Sequence, residues 1–458
     1  MPEIKFTNHL KRFFPALTNG PISGHTIAEV VAALDVAYPG LSAYIVDEHG
    51  KLRQHVNIFV GEDMIEDREG LSDKVNEDER MYIFQALSGG SIKRKLMETK
   101  NLSVVLAPRK GVLILEKQSS RWEIINHSFP GIPISYAFRH PYSGVLWAAL
   151  DSDHWGAKLQ RSDDDGKSWQ DVEMPKYPEG AMTNADTPAI LSYIWTISEG
   201  HAERPADIFL GTEPGGLFYS KDGGKSFALV KSLWDDPGRS QWFGAGRDHP
   251  GLHSVVVDPR DANHIYIGIS VGGVYESKDG GESWVPKNKG LIAEYLPNQN
   301  AEVGHDPHLL VMSPSNPDVL WQQNHCGIFV SRDGSENWEK ASEESGPAHF
   351  GFPVMVDPTN PETAWVIPGV SDEVRMAVDG ALCVSRTEDG GKTWTAFREG
   401  LPQENCFDIV FRHGFDQMGD VLMFGTTTGN LFVSENRGES WELISSFIPP
   451  VYSVRFMK

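Results

Sequence analysis

An eight-residue motif recurs six times in this chain and limits the folds that the chain can adopt. The pattern is Ser/Thr-x-Asp-x-Gly-x-Ser/Thr-Trp, and its copies begin at residues 162, 220, 277, 331, 387 and 434. A motif repeated at this period is typical of a fold built from repeated supersecondary units. The Asp accepts backbone N–H groups in a tight turn, the Gly tolerates positive φ, and the Trp buries a large ring. Each copy is therefore predicted to be a hairpin turn with an aromatic anchor, and the departures at Phe227, Ser335 and Asn436 suit a scaffold role.

The motif resembles the Asp-box, or BNR repeat, of sialidase-like β-propellers. In that family the boxes are structural and lie away from the active site, which implies a scaffold role here. Segments 249–260 and 324–334 extend the similarity, over residues 101–458, to bacterial proteins labelled sialidase or glycosyl hydrolase. Sialidases carry an F-R-I-P segment and an arginine triad that binds the substrate carboxylate. This chain has only FRHP and FRHG, and although Arg139, Arg247 and Arg375 are available, its sequence assembles no triad, so sialidase activity is not expected.

The amino-acid composition limits the binding partners and the cellular compartment that we expect for this chain. The net charge of −22 argues against nucleic acid and anionic membrane surfaces as partners. Three cysteines in 458 residues do not form a disulfide framework, and the sequence shows neither a secretory leader nor a long apolar span. We therefore expect a cytoplasmic protein.

Residues 1–90 do not follow the repeat and are predicted to form a small α+β domain. Thr26 begins a helix and Glu29 completes a capping box. Three segments of this region, AALDVAYPGL, RQHVNIFVGED and DERMYIFQALSGG, resemble the ubiquitin-like MoaD/ThiS sulfur carriers, which have a β-grasp fold. The resemblance implies a carrier end at Gly89 and Gly90, served by an adenylating enzyme. Because Ser91 follows, the pair is either a linker or the site of a protease that cuts after Gly90.

A basic linker, residues 91–100, precedes the propeller of residues 101–458. Segments 101–129 and 420–448 align without gaps, and the second is followed by one more strand that the first lacks in front of it. The C-terminal strand is therefore predicted to be the innermost strand of the first blade, which removes an open sheet edge. This gives seven four-stranded blades, with inner strands near 132–140, 188–196, 252–259, 307–314, 350–357, 405–413 and 451–457.

The two faces of such a ring differ in sequence. Asp-boxes and short turns form one face, whereas the other has long loops rich in His, carboxylate and aromatic residues. Loops on a rigid scaffold carry function disproportionately, so the site is expected there. The candidates for catalysis are carboxylates, namely Glu213, Asp248, Asp306 and Asp372. The candidates for ligand binding are His154, Arg247, His249, His253, Glu302, His305, His308, His325 and Arg375.

Several of these residues have a plainer interpretation. His305 and His308 form an H-x-x-H, but in a loop that spacing fixes no geometry, so no metal and no cofactor are predicted. His253 and His308 open inner strands, and each is equally suited to bonding the backbone of a neighbouring blade.

Three functions remain open at this point. Fusion to a carrier-like domain favours a propeller that binds a small ligand or a protein partner through its loop-rich face. The alternative is a glycoside hydrolase, which needs two carboxylates around the scissile bond. The third is a sulfur carrier released by cleavage after Gly90.

Overall fold

The computed structural model describes residues 2–6, 14, 17–47, 50–53, 56–61, 63–76, 79–85, 102–119, 121–152, 154, 156–183, 186–244 and 246–457. The chain divides into two compact units, Met1–Glu98 and Thr99–Lys458. Gly89, Gly90 and the linker residues 91–100 lie outside the described residues, and the proposed domain boundary there stays a prediction. Among the described helices, none has the length and apolar character that a bilayer span requires.

The N-terminal unit is a mixed sheet with a helix. Its strands are β1 (Glu3–Phe6), β2 (Gly20–Pro21), β3 (Val56–Val60), β4 (Asp63–Met64) and β5 (Arg80–Gln85), in the sheet order 2-1-5-3-4. The first and last strands, β1 and β5, pair in parallel, and the other pairs are antiparallel.

Helix α1 (Ile27–Ala37) begins where the capping pattern predicts, and a short α2 (Ser42–Ile45) follows it. The Thr26 hydroxyl accepts from the backbone N–H of Glu29 at 3.3 Å, and the Glu29 carboxylate accepts from the N–H of His25 at 2.8 Å. The apolar face of α1, with Val30 and Leu34 fully buried, packs in the core of this unit.

The second unit is mainly β, and its described residues form seven four-stranded antiparallel sheets arranged as a propeller. Blade 1 contains β6 (Ser103–Pro108), β7 (Val112–Gln118) and β8 (Arg121–Ser128). Blade 2 contains β9 (Ile134–Arg139), β10 (Leu146–Ser152), β11 (Gly156–Ser162) and β12 (Gln170–Val172). Blade 3 contains β13 (Tyr193–Glu199), β14 (Ile208–Glu213), β15 (Leu217–Ser220) and β16 (Ala228–Leu229).

The remaining blades repeat this order from the inner strand outward. Blade 4 contains β17 (Leu252–Val257), β18 (Ile265–Ile269), β19 (Gly273–Ser277) and β20 (Val285–Pro286). Blade 5 contains β21 (Pro307–Met312), β22 (Leu320–Asn324), β23 (Gly327–Ser331) and β24 (Glu339–Lys340). Blade 6 contains β25 (Gly351–Val356), β26 (Ala364–Pro368), β27 (Val384–Thr387) and β28 (Thr395–Phe397). Blade 7 contains β29 (Phe415–Met418), β30 (Val421–Gly425), β31 (Leu431–Ser434) and β32 (Glu442–Ser445).

The last strand of the chain, β33 (Val451–Phe456), completes blade 1, as the alignment of the two ends predicts. It pairs with β6 in antiparallel register, with Val454 opposite Leu106. Contacts between inner strands then run from β33 through β9, β13, β17, β21, β25 and β29 back to β33. The ring is therefore closed by strand pairing between its two ends.

The Asp-boxes form the turns between the third and fourth strands of their blades. In the copy at residues 277–284, Asp279 accepts from the backbone N–H of Ser283 at 2.9 Å and from the Ser277 hydroxyl at 2.8 Å. The Ser283 hydroxyl donates to Asp279 as well. Together these bonds stabilise the charged form and lower the pKa of Asp279 to about 2, and the bond from the Ser283 hydroxyl has the largest effect. Asn436 makes the equivalent bond to the N–H of Ser440 at 3.1 Å, so the departure from Asp preserves the turn.

Two predicted inner strands are displaced along the chain. Segment 405–413 does not form the inner strand of blade 7, which is β29 (Phe415–Met418) instead. The backbone turns just before β29, where the N–H of Gly414 donates to the carbonyl of Phe411, and only His413 makes an isolated bridge with Ser453. In blade 3 the inner strand is Tyr193–Glu199, later than the predicted 188–196. Both shifts lengthen the connection that precedes the inner strand of the blade.

We predict that deleting residues 451–458 abolishes soluble expression of the propeller. The deletion exposes β6 and β9 and removes Val451, Val454 and Phe456, each of which is at most 5% exposed. Burial of such side chains contributes about 1.5–3 kcal/mol each, which together approaches the whole stability of a typical domain, about 5–15 kcal/mol. The measurement is the soluble yield and oligomeric state of the truncated chain, and a stable monomer would contradict closure by β33.

Candidate functional site

The long loops lie at one end of the propeller, opposite the Asp-boxes. They include the connection before β17, which carries α3 (Lys231–Trp234) and a 3₁₀ turn (Pro237–Gln241), and the connection between β26 and β27, which carries a second 3₁₀ turn (Val378–Gly380). Arg139 is not part of this face, because it pairs with Asp165 of the first Asp-box. Arg139 is therefore not available to bind a ligand on the loop-rich face.

Glu213 is a buried carboxyl at the end of β14, on the loop-rich face. Its side chain is 4% exposed and accepts from the Arg247 guanidinium. Burial raises the pKa of Glu213, and the charge of Asp248 adds to this, although Arg247 and His249 partly offset the effect. Burial therefore makes Glu213 a weaker acid than an exposed glutamate, although its ion pair with Arg247 stabilises the charged form.

Arg247 connects Glu213 to two aromatic rings of β13. Its guanidinium carbon lies 4.4 Å from the ring centre of Tyr193 and 5.8 Å from that of Trp195. Arg412 approaches Trp195 as well, at 4.8 Å, and donates to the carbonyl of His308 at 2.7 Å. Burial lowers the pKa of Arg412 to about 10.

Phe352, at the start of β25, continues this arrangement around the axis. The guanidinium carbons of Arg412 and Arg375 each lie 5.7 Å from its ring centre, and the ring of His308 stacks on it at 4.7 Å. Three arginines, Arg247, Arg375 and Arg412, are thus held against aromatic rings on one face of a chain with a net charge of −22. The same face therefore offers hydrogen-bond donors and apolar rings, which together suit a saccharide or another hydroxyl-bearing ligand.

Asp306, His308 and His325 form a compact cluster in the neighbouring blade. One carboxylate oxygen of Asp306, Oδ2, lies 3.4 Å from Nε2 of His308 and 3.7 Å from Nδ1 of His325. Its other oxygen, Oδ1, accepts from the backbone N–H of Val271 at 3.1 Å. Burial by itself would raise the pKa of Asp306, but the bond from His308 and the charges of Arg412 and His325 lower it overall. Asp306 is therefore an anion here and is not suited to serve as a general acid.

Two of the predicted ligand histidines hold neighbouring blades together. His253 lies next to the carbonyl of Pro307 in blade 5, with its Nε2 at 2.7 Å, and its Nδ1 is 2.9 Å from the Ser254 hydroxyl. Burial keeps the pKa of His253 well below its usual range, so the ring is neutral. Nδ1 of His308 lies 2.6 Å from the carbonyl of Gly351 in blade 6. The plainer interpretation is therefore correct for His253, whereas His308 both joins two blades and belongs to the cluster with Asp306.

The other predicted residues are dispersed. His305 lies 2.7 Å from the carbonyl of Ala301 and is buried within its own loop. Asp372 is exposed, and its backbone carbonyl accepts from Arg375. His154 and Glu302 are exposed on their loops. The H-x-x-H pair is thus not a joint site, since His308 is grouped with Asp306 and His325 instead.

Sequence reasoning missed Trp195, Phe352 and Arg412, which contact the residues at the centre of this face. Trp195 and Phe352 follow the strand pattern and carry no sign that they face the axis. Arg412 did leave a signal, because it belongs to the FRHG segment at residues 411–414.

Comparison with known proteins adds information about the propeller. No family model matches the chain. An oligoxyloglucan-reducing end-specific xyloglucanase of Emericella nidulans is 26% identical over 211 residues, which is 42% of this chain and 24% of that protein. Xyloglucanase Xgh74A of Acetivibrio thermocellus is 23% identical over 298 residues, which is 57% of this chain and 33% of that protein. The chain thus spans about a quarter to a third of the length of these relatives.

A solved structure supports the same fold. The GH74 enzyme of Niastella koreensis superimposes with a TM-score of 0.50 at 16% identity, covering 75% of this chain and 52% of that one. At this identity the likeness concerns the fold, which is a xyloglucanase-like β-propeller. The two relatives named above are xyloglucanases, whereas the Asp-boxes alone resemble those of sialidases.

Proposed function

We propose that the propeller is a glycoside hydrolase that acts on an oligosaccharide bound to its loop-rich face. The observation that carries the proposal is the buried Glu213, whose pKa is raised and which lies within electrostatic range of Asp248. Glycoside hydrolysis uses two carboxyl groups, one of which is protonated in the resting enzyme. The names of the similar proteins support this reaction class over the partner-binding function that the sequence alone favours.

In this proposal Glu213 donates the proton to the leaving oxygen and Asp248 is the second carboxylate. Trp195 and Tyr193 offer rings against which a sugar can stack, and Arg247 and Arg412 offer donors for its hydroxyl or carboxylate oxygens. Arg247 has a double role, because it contacts Glu213 and both rings. The substrate panel starts with xyloglucan oligosaccharides, following the relatives, and includes saccharides that bear a uronic acid, following the three arginines.

Substitution Glu213→Gln is expected to lower kcat by about 10²–10⁴-fold, the usual contribution of a general acid. Because the protonated form of Glu213 is the donor, the wild-type rate is expected to fall as pH rises through its raised pKa, and the variant is expected to lose that dependence. The measurement is release of reducing ends from the oligosaccharide panel across pH. Glu302→Gln is the matched control, since it changes an exposed carboxylate of the same face. An inactive wild type on the whole panel, or an unchanged rate in Glu213→Gln, would contradict the proposal.

We propose separately that residues 1–90 form a ubiquitin-like carrier domain. Support comes from the mixed sheet, in which the first and last strands pair in parallel at the centre and α1 packs on the apolar core. Sulfur-carrier activity would require a free carboxylate at Gly90, an adenylating enzyme and a protease, and would place the protein in the cytoplasm.

The intact mass of the protein from its own host tests the carrier proposal. A carrier domain would appear as a species with the mass of residues 1–90, because activation needs the Gly90 carboxylate free. Detection of the full-length chain alone, including under conditions that block proteolysis after lysis, would contradict release and leave the two glycines as a linker.

A further inference from the structure

We propose that Asp306, His308 and His325 bind a divalent transition metal ion, with Zn²⁺ as the expected occupant, through Oδ2, Nε2 and Nδ1 respectively. One potential ligand atom from each of the three residues lies within 4.8 Å of the other two. Imidazole and carboxylate are ordinary ligands of Zn²⁺, and three protein ligands leave one position of a tetrahedral site for water or substrate. The proposal does not depend on the glycoside hydrolase, because it uses neither Glu213 nor Asp248.

The distances in the cluster match the size of a zinc site. Ligand bonds of about 2.0–2.2 Å in a tetrahedron place neighbouring ligand atoms about 3.3–3.6 Å apart. The separations of Oδ2 of Asp306 from Nε2 of His308 and from Nδ1 of His325 are 3.4 and 3.7 Å. His325 lies in the loop between β22 and β23, with 27% of its side chain exposed. Its ring can therefore move to adjust the remaining distance, which is the one between Nδ1 of His325 and Nε2 of His308.

Hydrogen bonds to the other polar atoms of Asp306 and His308 leave Oδ2 and Nε2 as the atoms that face a cation. His308 lies with Nδ1 only 2.6 Å from the carbonyl of Gly351, so Nδ1 carries a proton and Nε2 is the ring atom that faces Asp306. Histidine ligands of metals usually donate their other N–H to a carbonyl or carboxylate in this way. Oδ1 of Asp306 is occupied by the N–H of Val271, which leaves Oδ2 for the metal.

Nε2 of His308 and the facing carboxylate oxygen of Asp306 are 3.4 Å apart, and either a proton on Nε2 or a metal ion between the two atoms makes this contact favourable. A metal ion is favoured because Nδ1 of His325 faces the same carboxylate oxygen at 3.7 Å, which supplies a third potential ligand atom. The backbone also fixes the geometry, since the N–H of His325 donates to the carbonyl of Asp306 at 2.9 Å. The site lies beside Arg412, which bonds the carbonyl of His308, so a bound ion would adjoin the arginine-rich centre of the face.

Metal binding by the full-length chain, stripped of metal with a chelator, tests this site. Calorimetry with Zn²⁺ and visible absorption with Co²⁺ are expected to show one ion per chain, with the strong absorption of tetrahedral Co²⁺ and with proton release at low pH. His325→Ala and Asp306→Asn are each expected to weaken binding by at least about 100-fold. His154→Ala is the matched control, because it removes an exposed imidazole from the same face, and it is expected to bind as wild type does.

Asp306→Asn keeps an oxygen that can accept from the N–H of Val271, and His325→Ala changes a partly exposed loop. Both variants are therefore expected to fold, which circular dichroism checks. A crystal of the wild-type protein with Zn²⁺ gives a test without any variant, since the anomalous peak at the zinc edge is expected between the three side chains. Failure of the wild type to bind Zn²⁺ and Co²⁺ saturably, unchanged binding in both variants, or an anomalous peak elsewhere would overturn the proposal.

Discussion

Closure of the ring by β33 is the constraint on which the propeller depends. A chain of four-stranded units has two open ends, and each would expose an unpaired edge or an unpacked apolar face. Here the C-terminal strand pairs with β6 and packs against β9 and β29, so the two ends of the unit become one blade. Arg455 of β33 donates to Nδ1 of His413 at 2.9 Å, which joins blade 1 to blade 7. The loops of the loop-rich face are held in place because this ring is closed.

Buried imidazoles connect the scaffold with the site. His253 contacts the carbonyl of Pro307, and His308 contacts that of Gly351, so each joins its blade to the next at the point where the inner strand begins. Asp306 and Phe352 lie at these same strand starts, beside β21 and in β25. A substitution at His308 would therefore change blade packing and the cluster together, whereas His325 can be altered with less effect on the scaffold.

Much of the scaffold was predictable because its signals are local or repeated. The Asp-box bonds follow from an Asp, a Ser and a Gly at fixed spacing, and Asn436 shows why the motif tolerates a change that keeps the acceptor oxygen. Ring closure was visible in the similarity of the two ends of the unit. The sorting of loops onto two faces followed from counting strands, and it placed Glu213, Asp306 and His325 on the face where the structure has them.

The site itself was only partly predictable because it is assembled from different blades. Nothing near Asp306 in the sequence shows that His325 returns to it, nor that His305 turns away to bond Ala301. The position of Arg412 was not predictable for a different reason. The segment before β29 looks like a strand in its alternation, but the backbone turns at residues 411–414 and sends the guanidinium between Trp195 and Phe352.

We propose the loop-rich face as the ligand site of this propeller. A crystal structure of the Glu213→Gln variant with a bound oligosaccharide tests this most directly, because the substitution is expected to slow turnover while leaving the rings and arginines in place. We predict electron density for the sugar against Trp195 and Arg412, with a glycosidic oxygen in reach of residue 213. Saccharide bound only on the Asp-box face or at the outer strands would contradict this assignment of the ligand site.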